Sequence, residues 1–577
     1  MQKQIVDLST RHYPTIDDQA LHPVLRRVFA HRGLVSPECY CHKAHGLLHP
    51  DGLLGIEEAA EILISAIKRQ NRIIIVGDYD CDGATSTSVA MRGLKMLGCV
   101  SIDYYIPNRF TQGYGLSVET VLDVYHKQKP DLILTVDNGI TSIDGVKKAQ
   151  ELGIQVVITD HHLPGKELPG AEAIVNPQLC VESFGSKNLA GVGVVFYLLI
   201  KIRQLLRDGN EIDGAKLPNL AELLDLVALG TVADLVPLDK NNRILVAQGL
   251  QRIRAGKACP GIQALCDASQ CQVQHLTSTD ISFKIAPKLN AAGRLADMRV
   301  GVEALLAIDQ PTAAGKVQEL CGLNMERMQI QYGMVDAALK MVAQDKKGNQ
   351  GICLFHKEWH QGVIGILASK IKEKVYQPTV ILAADDDGET IKGSARSIPG
   401  INIREVFADI AQERPDVLVK FGGHAMAAGL TLRQSALSAF KELYHTKISS
   451  MDENKFIKKL EIDGYLLAHE LTITTAEVIR DYGIWGLGFA EPVFMNEAIV
   501  CQHKWLKGQH LKLRLDVKSE RQVDAMWFFA PESAQRMCRI GENISIYYTI
   551  QVQSYLGIKR MCLHVVDAVE VQPEKVS

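Results

Sequence analysis

Short apolar runs alternate with longer segments of helical periodicity between residues 56 and 240. The apolar runs cover residues 72–76, 102–106, 132–136, 155–158 and 173–175, and the helical segments cover 85–97, 117–126, 143–152 and 193–206. Strands and helices that alternate in this way favour a parallel sheet with helices on both faces. The pattern therefore predicts an α/β domain, and we place its bounds at residues 56–310.

Four other regions complete the predicted organisation. Residues 1–55 form an irregular N-terminal extension that we expect to pack on the first domain, and residues 311–345 favour one long connecting helix. Residues 346–450 repeat an α/β pattern and form a smaller second domain. Residues 451–577 contain short alternating runs such as HLKLRLDV and ISIYYTIQVQSY, which are typical of a small β-barrel or sandwich.

Composition narrows the class of protein. Of 577 residues, 47% are hydrophobic and 22% charged, as in ordinary soluble proteins, and a net charge of −3 means that any nucleic-acid site must be a local basic patch. No apolar stretch approaches the ~20 residues of a membrane span, and the first residues do not resemble a signal peptide. The 13 scattered cysteines are expected to be free thiols. These features predict a cytoplasmic protein.

Acidic and histidine residues follow three of the predicted strands and one helical segment. They are Asp78, Asp80 and Asp82 in GDYDCDG, Asp137 in DNG, Asp160, His161 and His162 in DHH, and Asp234 in GTVAD. The glycines at both ends of GDYDCDG suggest that its three acids lie in a loop. Because the carboxyl ends of parallel strands meet at one edge of a sheet, we expect all four motifs to converge there.

Converging carboxylates with imidazoles are the ligands of a hard divalent cation. Oxygen ligands suit Mg²⁺ or Mn²⁺, and a histidine favours Mn²⁺. Because so many acids in one cleft cannot all stay ionised without a partner, we predict two cations, an arrangement suited to phosphodiester hydrolysis. For any one of these aspartates, a helix cap or a turn is the structural alternative.

The same motifs resemble a known family. DYDCDG, VDNG, DHH and GTVAD, in this order, resemble the four motifs of the DHH phosphoesterases, and PNRFTQGYGL belongs to the same pattern. APKLNAAGRLADM, WHQGVIGI, GSARS and GGHAMAAG resemble the DHHA1 half of that family. The specific resemblance covers roughly residues 50–440, and WGLGFAEPVF resembles the start of an OB-fold domain found in some members. It implies a DHH domain, a connecting helix, a DHHA1 domain and a C-terminal OB-fold.

The resemblance also implies roles for the acidic residues. Asp80 and Asp82 match metal ligands, Asp137 matches an acid that bridges both ions, and His161 and Asp234 match the ligands that complete the second ion. Asp78 is implied to be a ligand or to lie just outside the ligands.

Two further residues of the DHH motif have implied roles. Asp160 would orient a ligand, and His162 would face the substrate, where it would stabilise the phosphate or act as an acid towards the leaving oxygen. We therefore count Asp137, Asp160 and His162 as candidate catalytic residues.

The chain departs from the family pattern at three positions. Cys81 stands where alanine is usual, Gln112 replaces a glutamate, and Lys288 replaces an arginine. None of these changes removes a metal ligand, so activity is expected to be retained. A thiol at position 81 is expected to make the site sensitive to thiol oxidants.

A second set of residues is implied to hold the end of the substrate. Ser394 and Arg396, which we place on a turn opened by Gly393, and Arg294 in NAAGR would bind a 5′ phosphate, since arginine forks and hydroxyls bind phosphate oxygens. Arg109 would contact the backbone near the cleavage site, and His424 would touch the nucleotide near the metals.

The C-terminal segment KWLKGQHLKLRLDVKSERQ carries four lysines and two arginines beside Trp505. An OB-fold can carry a single strand on such a basic, aromatic face. A solvated charged strand is the alternative interpretation.

The leading hypothesis is a 5′→3′ exonuclease specific for single-stranded DNA that releases 5′-mononucleotides and acts in recombination and repair. One alternative is a phosphodiesterase of short oligonucleotides or cyclic dinucleotides, and another is a non-catalytic DNA-binding scaffold. The resemblance further implies single-strand-binding protein and a RecQ-type helicase as partners, no membrane association, and a monomer.

Overall fold

A computed structural model describes residues 3–571 apart from 110–111, 210–216, 345–349, 386, 518–521 and 556. The chain forms two compact units. The first unit comprises Ile5–Pro287, Gly301–Val317 and Glu461–Ser577, and the second comprises Met1–Gln4, Lys288–Val300 and Gln318–Leu460.

The strands are numbered in chain order. They are β1 (Lys3–Asp7), β2 (Ile73–Gly77), β3 (Ile102–Tyr105), β4 (Leu132–Val136), β5 (Gln155–Thr159), β6 (Ala173–Val175), β7 (Ile352–His356), β8 (Thr379–Ala384), β9 (Thr390–Arg396), β10 (Leu418–Gly423), β11 (Ala427–Arg433), β12 (Lys458–Ile462), β13 (Phe494–Leu506), β14 (His510–Asp516), β15 (Gln522–Trp527), β16 (Asn543–Tyr555) and β17 (Ile558–Glu570). The α-helices of the described residues are Pro23–His31, Pro37–Tyr40, Ile56–Lys68, Cys81–Met96, Val118–Gln128, Ile143–Glu151, Val181–Phe184, Gly191–Asp208, Leu224–Ala233, Lys240–Arg254, Pro260–Ala268, Ser278–Asp280, Ala286–Leu295, Arg299–Leu306, Gln310–Gln344, Ile364–Val375, Ile403–Glu413, Leu437–Ser449, Ile473–Tyr482 and Ala534–Met537.

The first unit contains the parallel sheet that the apolar runs predicted. Its strand order is β3-β2-β4-β5-β6, and every pairing is parallel. All residues of β2 and β4 are buried, because helices cover both faces of the sheet. The α/β fold class is confirmed, and the strands begin and end within one residue of their predicted positions.

The GDYDCDG segment differs from its predicted loop. The helix Cys81–Met96 starts inside the motif, with Asp80 as its N-cap, and the Oδ1 atom of Asp80 accepts a hydrogen bond from the Gly83 N–H at 3.0 Å. A Cβ atom on Gly83 would lie 2.4 Å from the carbonyl oxygen of Asp78. Gly83 therefore lets the first helical turn pack against the end of β2, and Asp82 points from that turn.

The second unit contains a mixed sheet of order β10-β11-β9-β8-β7. The first four residues of the GSARS motif, Gly393–Arg396, lie inside β9 and not on a turn, so the predicted glycine-initiated turn is wrong. A Cβ atom on Gly393 would lie 2.6 Å from Cδ2 of Leu382 and 2.7 Å from Cγ of Leu430 on the neighbouring strands. The glycine is thus explained by close packing within the sheet.

The C-terminal strands form a closed barrel of order β13-β14-β15-β17-β16. The barrel alternative of the prediction is therefore confirmed over the sandwich. Strand β13 was not predicted, because its first half shows no regular alternation of apolar and polar residues.

The units cut across the predicted domains. Residues Lys288–Val300 belong to the second unit and Gly301–Val317 to the first. The helix Gln310–Gln344 begins in the first unit and continues in the second from Gln318. The domain bounds at residues 55, 310, 345 and 450 stay predictions. Of the helices that the structure describes, none has the length and apolarity needed to cross a bilayer.

Candidate active site

The carboxyl ends of β2, β4 and β5 bring the acidic motifs together. Asp78 follows β2, Asp137 follows β4 and Asp160 follows β5, all at the same edge of the sheet. Asp234 arrives from the end of the helix Leu224–Ala233, where it is the C-cap residue. The convergence of the four motifs expected from strand topology is thus present in the first unit.

Seven of these residues form three overlapping potential ligand groups. Asp78, Asp80 and Asp137 make one group, Asp82, His161 and Asp234 make the second, and Asp137, His161 and His162 make the third; within each group the ligand atoms lie within 4.8 Å of one another. The first two groups touch, since Oδ1 of Asp137 is 3.1 Å from Nε2 of His161. Asp137 thus stands between the groups, where an acid that bridges two ions would have to be.

Three potential ligand atoms are buried without a hydrogen-bond partner among the described residues. They are Oδ1 of Asp78, Oδ1 of Asp137 and Nε2 of His161. A buried polar atom without a partner costs about 1–3 kcal/mol, so three at one site require an explanation. Carboxylate oxygens and a neutral imidazole are suitable ligands for Mn²⁺ or Mg²⁺. The residues present therefore fit divalent cations.

The protonation of the acids leads to the same conclusion. Burial, followed by the charge of Asp234, raises the pKa of Asp82 to about 7, and burial with the charge of Asp80 raises the pKa of Asp234 to about 8. Burial and the neighbouring carboxylates also raise the pKa of Asp78 and Asp137 well above the usual value. Without cations, the site therefore holds protons in place of metal charge.

The Asp82 carboxylate is held by a helix terminus. It accepts hydrogen bonds from the Gly191 N–H at 2.6 Å and the Val192 N–H at 3.0 Å, at the start of the helix Gly191–Asp208. The N-terminal end of a helix favours a negative charge. A Cβ atom on Gly230 would lie 2.8 Å from Oδ1 of Asp82, so glycine is needed for the approach of the helix that carries Asp234.

Asp137 has a strained backbone conformation. Its φ angle is 63°, in the left-handed region that few residues other than glycine adopt. A Cβ atom on Gly191 would lie only 2.6 Å from Cβ of Asp137, which shows how tightly the helix packs on this turn. Strain of this kind persists where the surroundings fix it and is common at functional sites.

The buried Asp160 and the half-buried His162 form a hydrogen-bonded pair beside the other acids. Asp160 accepts hydrogen bonds from the N–H groups of Ile140, His161 and His162, and its Oδ1 atom lies 2.7 Å from Nδ1 of His162. Burial opposes the charge on Asp160, but the hydrogen bond and charge of His162 outweigh it, and the pKa of Asp160 falls to about 2. Conversely, Asp160 overcomes the effect of burial on His162 and raises the pKa of His162 to about 9.

The second unit contains a candidate anion site. Ser394 and Arg396 lie two residues apart on β9 and thus share a face, with the Nη1 atom of Arg396 donating to Oγ of Ser394 at 3.1 Å and to the Ala395 carbonyl at 2.8 Å. Among the residues that the structure describes, no carboxylate lies within 4.0 Å of the Arg396 guanidinium. A half-buried guanidinium without an acidic partner is suited to bind an anion.

Arg294 and a helix start adjoin the same site. Nη1 of Arg294 donates to the Gly362 carbonyl at 3.3 Å, and a Cβ atom on Gly365 would lie 3.1 Å from Oγ of Ser394 and 3.2 Å from Nη2 of Arg396. The helix Ile364–Val375 begins here, and N-terminal helix amides attract phosphate groups.

His424 lies at the same end of the sheet. It is exposed in the turn between β10 and β11, and the register of β11 places Ala427 opposite Arg396. The structure thus brings Arg294, Ser394, Arg396 and His424 to one region of the second unit.

Comparison with known proteins gives the family. The description "DHH family, N-terminal domain" matches residues 72–231, "DHHA1 domain" matches 348–450, and "RecJ OB domain" matches 462–567. "Single-stranded-DNA-specific exonuclease RecJ" of Escherichia coli is 45% identical over 523 residues, which cover 89% of this chain and 90% of that protein. This chain belongs to the RecJ family. The Bacillus subtilis RecJ exonuclease is 33% identical over 95% of this chain and 68% of its own length.

Solved RecJ structures have the same fold. A RecJ from Thermus thermophilus in complex with Mn²⁺ superposes with a TM-score of 0.81 and 28% identity, over 99% of this chain and 80% of that chain. A RecJ exonuclease bound to manganese has a TM-score of 0.58 and 35% identity, over 69% of this chain and 96% of that chain.

Tyr114 is a site residue that sequence reasoning did not single out. Its hydroxyl lies 3.1 Å from Nδ1 of His162 and donates to the Asp137 carbonyl at 3.3 Å, and its ring meets that of Tyr79 edge to face. The guanidinium of Arg109 lies 4.6 Å from the centre of the Tyr79 ring. The signal was present in the GYGL segment of the RecJ pattern, where glycines with positive φ angles flank the tyrosine.

Cys81, which departs from the RecJ pattern, is inaccessible. It is 1% exposed, and burial followed by the charges of Asp80 and Asp82 raises the pKa of its thiol well above the usual value. Thiol oxidation requires an accessible thiolate, so this geometry argues against the expected sensitivity to oxidants, which stays a prediction.

The RecJ OB barrel carries the predicted basic segment on β13 and β14. Lys504 and Lys512 are paired across these strands and point outwards, whereas Trp505 is half-buried. Lys518 and Arg521 lie outside the described residues.

Sequence analysis missed an aromatic cluster next to these lysines. The Phe528 ring lies edge to face with His510 at 5.5 Å and with His564 at 5.2 Å, and Phe529 is 73% exposed.

Proposed function

We propose that this chain is a 5′→3′ exonuclease of single-stranded DNA that hydrolyses phosphodiester bonds with two divalent cations. The observation that carries the proposal is the set of overlapping ligand groups, with three buried ligand atoms that have no hydrogen-bond partner among the described residues. Its membership of the RecJ family supports the substrate, since the E. coli relative is named a single-stranded-DNA-specific exonuclease.

The cations would be Mn²⁺ or Mg²⁺, as in the two T. thermophilus RecJ complexes. Asp78, Asp80 and Asp137 would hold one ion, and Asp82, Asp137, His161 and Asp234 would hold the other. When bound, such ions supply a hydroxide nucleophile at neutral pH and stabilise the charge on the leaving oxygen.

Burial lowers the pKa of His161, which keeps its ring neutral, as a metal ligand requires.

The chain's own acid would be His162. Asp160 fixes its ring through Nδ1, and the raised pKa of about 9 keeps the ring protonated at neutral pH. In this state the Nε2 atom can donate a proton to the leaving oxygen or a hydrogen bond to the phosphate. Asp160 would act only through His162 and the DHH backbone, because hydrogen bonds already occupy both of its oxygens.

Direction would come from the anion site of the second unit. Arg396, Ser394 and Arg294 would bind a terminal 5′ phosphate, with His424 close to the first nucleotide and Arg109 on the backbone near the cleaved bond. A charged fork can hold two phosphate oxygens at once, which fixes the end of the strand. The basic and aromatic face of the barrel would carry the rest of the strand by charge and stacking.

The remaining parts of the proposal rest on the family. The products would be 5′-mononucleotides, and the enzyme would act as a cytoplasmic monomer in recombination and repair. Single-strand-binding protein and a RecQ-type helicase would be its partners.

A test uses a long single strand labelled at either end, incubated with Mn²⁺ and either wild-type protein or the Asp137→Asn variant. We expect wild-type protein to release the 5′ label first as a mononucleotide, to spare blunt duplex, and to favour the long strand over a dinucleotide. Asp137→Asn should abolish cleavage, while Asp336→Asn, at an exposed ion pair on the helix Gln310–Gln344, should not. Release of the 3′ label first, or preference for the dinucleotide, would refute the proposed substrate. Full activity of Asp137→Asn would refute the ligand role of Asp137, and binding of the strand without cleavage by the wild-type protein would favour a DNA-binding scaffold.

A further inference from the structure

The N-terminal segment joins two parts of the first unit that lie far apart in sequence. An aromatic cluster combines Phe29 and Tyr40 of this segment with Tyr482, Trp485 and Phe489, which precede the barrel. The ring centres of Phe29 and Tyr482 are 5.1 Å apart, and those of Trp485 and Phe489 are 5.2 Å apart. These contacts explain Trp485 and Phe489 of the WGLGFAEPVF motif as packing residues.

Two arginines of the N-terminal segment form paired hydrogen bonds towards the barrel. Arg32 donates from Nε and Nη2 to the two oxygens of Asp463 at 2.8 and 2.7 Å, and from Nη1 to the Ala490 carbonyl at 2.7 Å. Arg27 contacts both oxygens of Glu470 at 2.8 Å. The side chains of Arg32 and Asp463 are only 13% and 2% exposed, so this ion pair is shielded from solvent.

The segment that carries Asp463 and Glu470 is itself fastened to the barrel. The Met495 N–H of β13 donates to the Gly464 carbonyl at 2.9 Å, and Asn496 of β13 donates to the Leu466 carbonyl at 3.0 Å. The Tyr548 hydroxyl on β16 donates to Oδ1 of Asn496 at 2.8 Å. The segment that carries Asp463 is thus connected by hydrogen bonds to β13 and, through Asn496, to β16.

On its other side, the N-terminal segment is bound to the helix Lys240–Arg254. Arg243 donates to the Cys39 carbonyl at 2.9 Å and Gln248 donates to the His42 carbonyl at 2.7 Å. The Arg243 guanidinium also lies 4.4 Å from the centre of the Phe489 ring. This helix starts six residues after the candidate ligand Asp234.

We propose that the N-terminal segment of residues 22–48 fixes the position of the barrel relative to the metal-binding edge of the sheet. Arg27 and Arg32 would be positioning residues of this segment. They would not touch the substrate, but they would set the path that a long strand follows from the barrel to the acids. The inference rests on the proposed exonuclease function.

The physical reason is the gain in affinity for a strand that occupies two binding sites held at a fixed distance. A strand bound at the barrel is presented to the acids at a high effective concentration only if both sites are fixed in a geometry that the strand can span. Truncation of Arg32 would leave Asp463 buried without its charge partner, which would weaken the contact between the N-terminal segment and the barrel. Cleavage of a strand too short to reach the barrel would not depend on this contact.

The test compares two substrates with the full-length protein and Mn²⁺. One is a 5′-phosphorylated trinucleotide, and the other is a strand of ~60 nucleotides, several times the site size of one OB-fold. For Arg32→Ala we expect KM on the long strand to rise by about tenfold and the number of nucleotides removed per encounter to fall, while kcat/KM on the trinucleotide stays within about twofold of wild type. The control is Arg414→Ala, which removes a paired but exposed contact to Asp416 in the second unit and should change neither value.

An equal loss of kcat/KM on both substrates would show that Arg32 is needed only for folding. No loss of kcat/KM on either substrate would show that the contact between Arg32 and Asp463 does not affect cleavage. Both results would overturn the proposal. If Arg32→Ala does not fold, Arg32→Lys retains the charge but loses the fork, and an unchanged KM on the long strand would again overturn it. Wild-type cleavage of both substrates is measured first, so failure of the proposed function would be seen as a wild-type protein that is inactive on the long strand.

Discussion

Replacement of Asp137 by asparagine should stabilise the metal-free protein while it abolishes metal binding. The substitution keeps the shape of the side chain, and asparagine tolerates the φ angle of 63° better than most residues. It removes one negative charge from a group whose ligand atoms lie within 4.8 Å of one another.

The size of the effect follows from that distance. Two unit charges 4.8 Å apart repel by about 3 kcal/mol at an effective dielectric constant of about 20. Because the acids already share protons, we expect the free energy of unfolding of Asp137→Asn in EDTA to exceed that of wild type by about 2 kcal/mol at pH 8.

The gain should depend on pH. Carboxyl groups of the unfolded chain ionise near pH 4, whereas the pKa of Asp82 and Asp234 in the folded protein is about 7 and about 8. The folded protein therefore binds more protons than the unfolded chain between these limits, and its stability falls as the pH rises from 4 to 8. The advantage of Asp137→Asn should accordingly be greater at pH 8 than at pH 5.

The assay is urea or thermal unfolding in EDTA and again with excess Mn²⁺. Mn²⁺ should stabilise the wild type by mass action and leave Asp137→Asn unchanged. The control Asp336→Asn removes an exposed helix pair and should alter stability by less than about 0.5 kcal/mol. If Asp137→Asn is less stable than wild type in EDTA at pH 8, or gains as much from Mn²⁺, the argument from mutual repulsion is refuted.

Three further predictions concern the anion site, the DHH pair and the thiols. Arg396→Gln should lower the preference for a 5′-phosphate over a 5′-hydroxyl end by about 30-fold in kcat/KM, because a charged hydrogen bond is lost; an unchanged ratio would place the phosphate elsewhere. In metal-free protein, Asp160→Asn should lower the pKa of His162 from about 9 towards ~6.5, which NMR can follow. The loss of unfolding free energy in this variant should be larger at pH 6 than at pH 10, because the raised pKa stabilises the fold only while His162 is protonated. Iodoacetamide should label the exposed Cys41 and leave Cys81 unmodified until the protein unfolds, as mass spectrometry would reveal.

Much of the sheet and its acidic edge was predictable from sequence. The apolar runs are short, and those of β2 and β4 are fully buried. The parallel topology brings the carboxyl ends of the strands together, so Asp78, Asp137 and Asp160 could be placed at one edge from the sequence. The prediction was weaker where a glycine had two explanations. Gly83 and Gly393 both suggested turns, but each is required because a neighbouring backbone or side chain comes within 3 Å of its missing Cβ atom.

Contacts between distant segments had no signal in the sequence. Arg32 and Asp463 are separated by 431 positions, and nothing local to either residue distinguishes a buried ion pair from two surface charges. In the sequence, Phe528 and Phe529 likewise indicate only the end of an apolar strand. The closed barrel of the structure leaves both rings exposed.

The sequence by itself determined which elements form and which residue types lie at their ends, because strand and helix periodicity depend on neighbours a few positions away. Tertiary structure decided the chemistry of those residues. Whether a carboxylate accepts several hydrogen bonds, like Asp160, or keeps a buried oxygen without a hydrogen-bond partner among the described residues, like Asp137, depends on which donors reach it. Its pKa depends on burial and on charges from other segments. These quantities fall off over a few Å in space and bear no relation to separation along the chain.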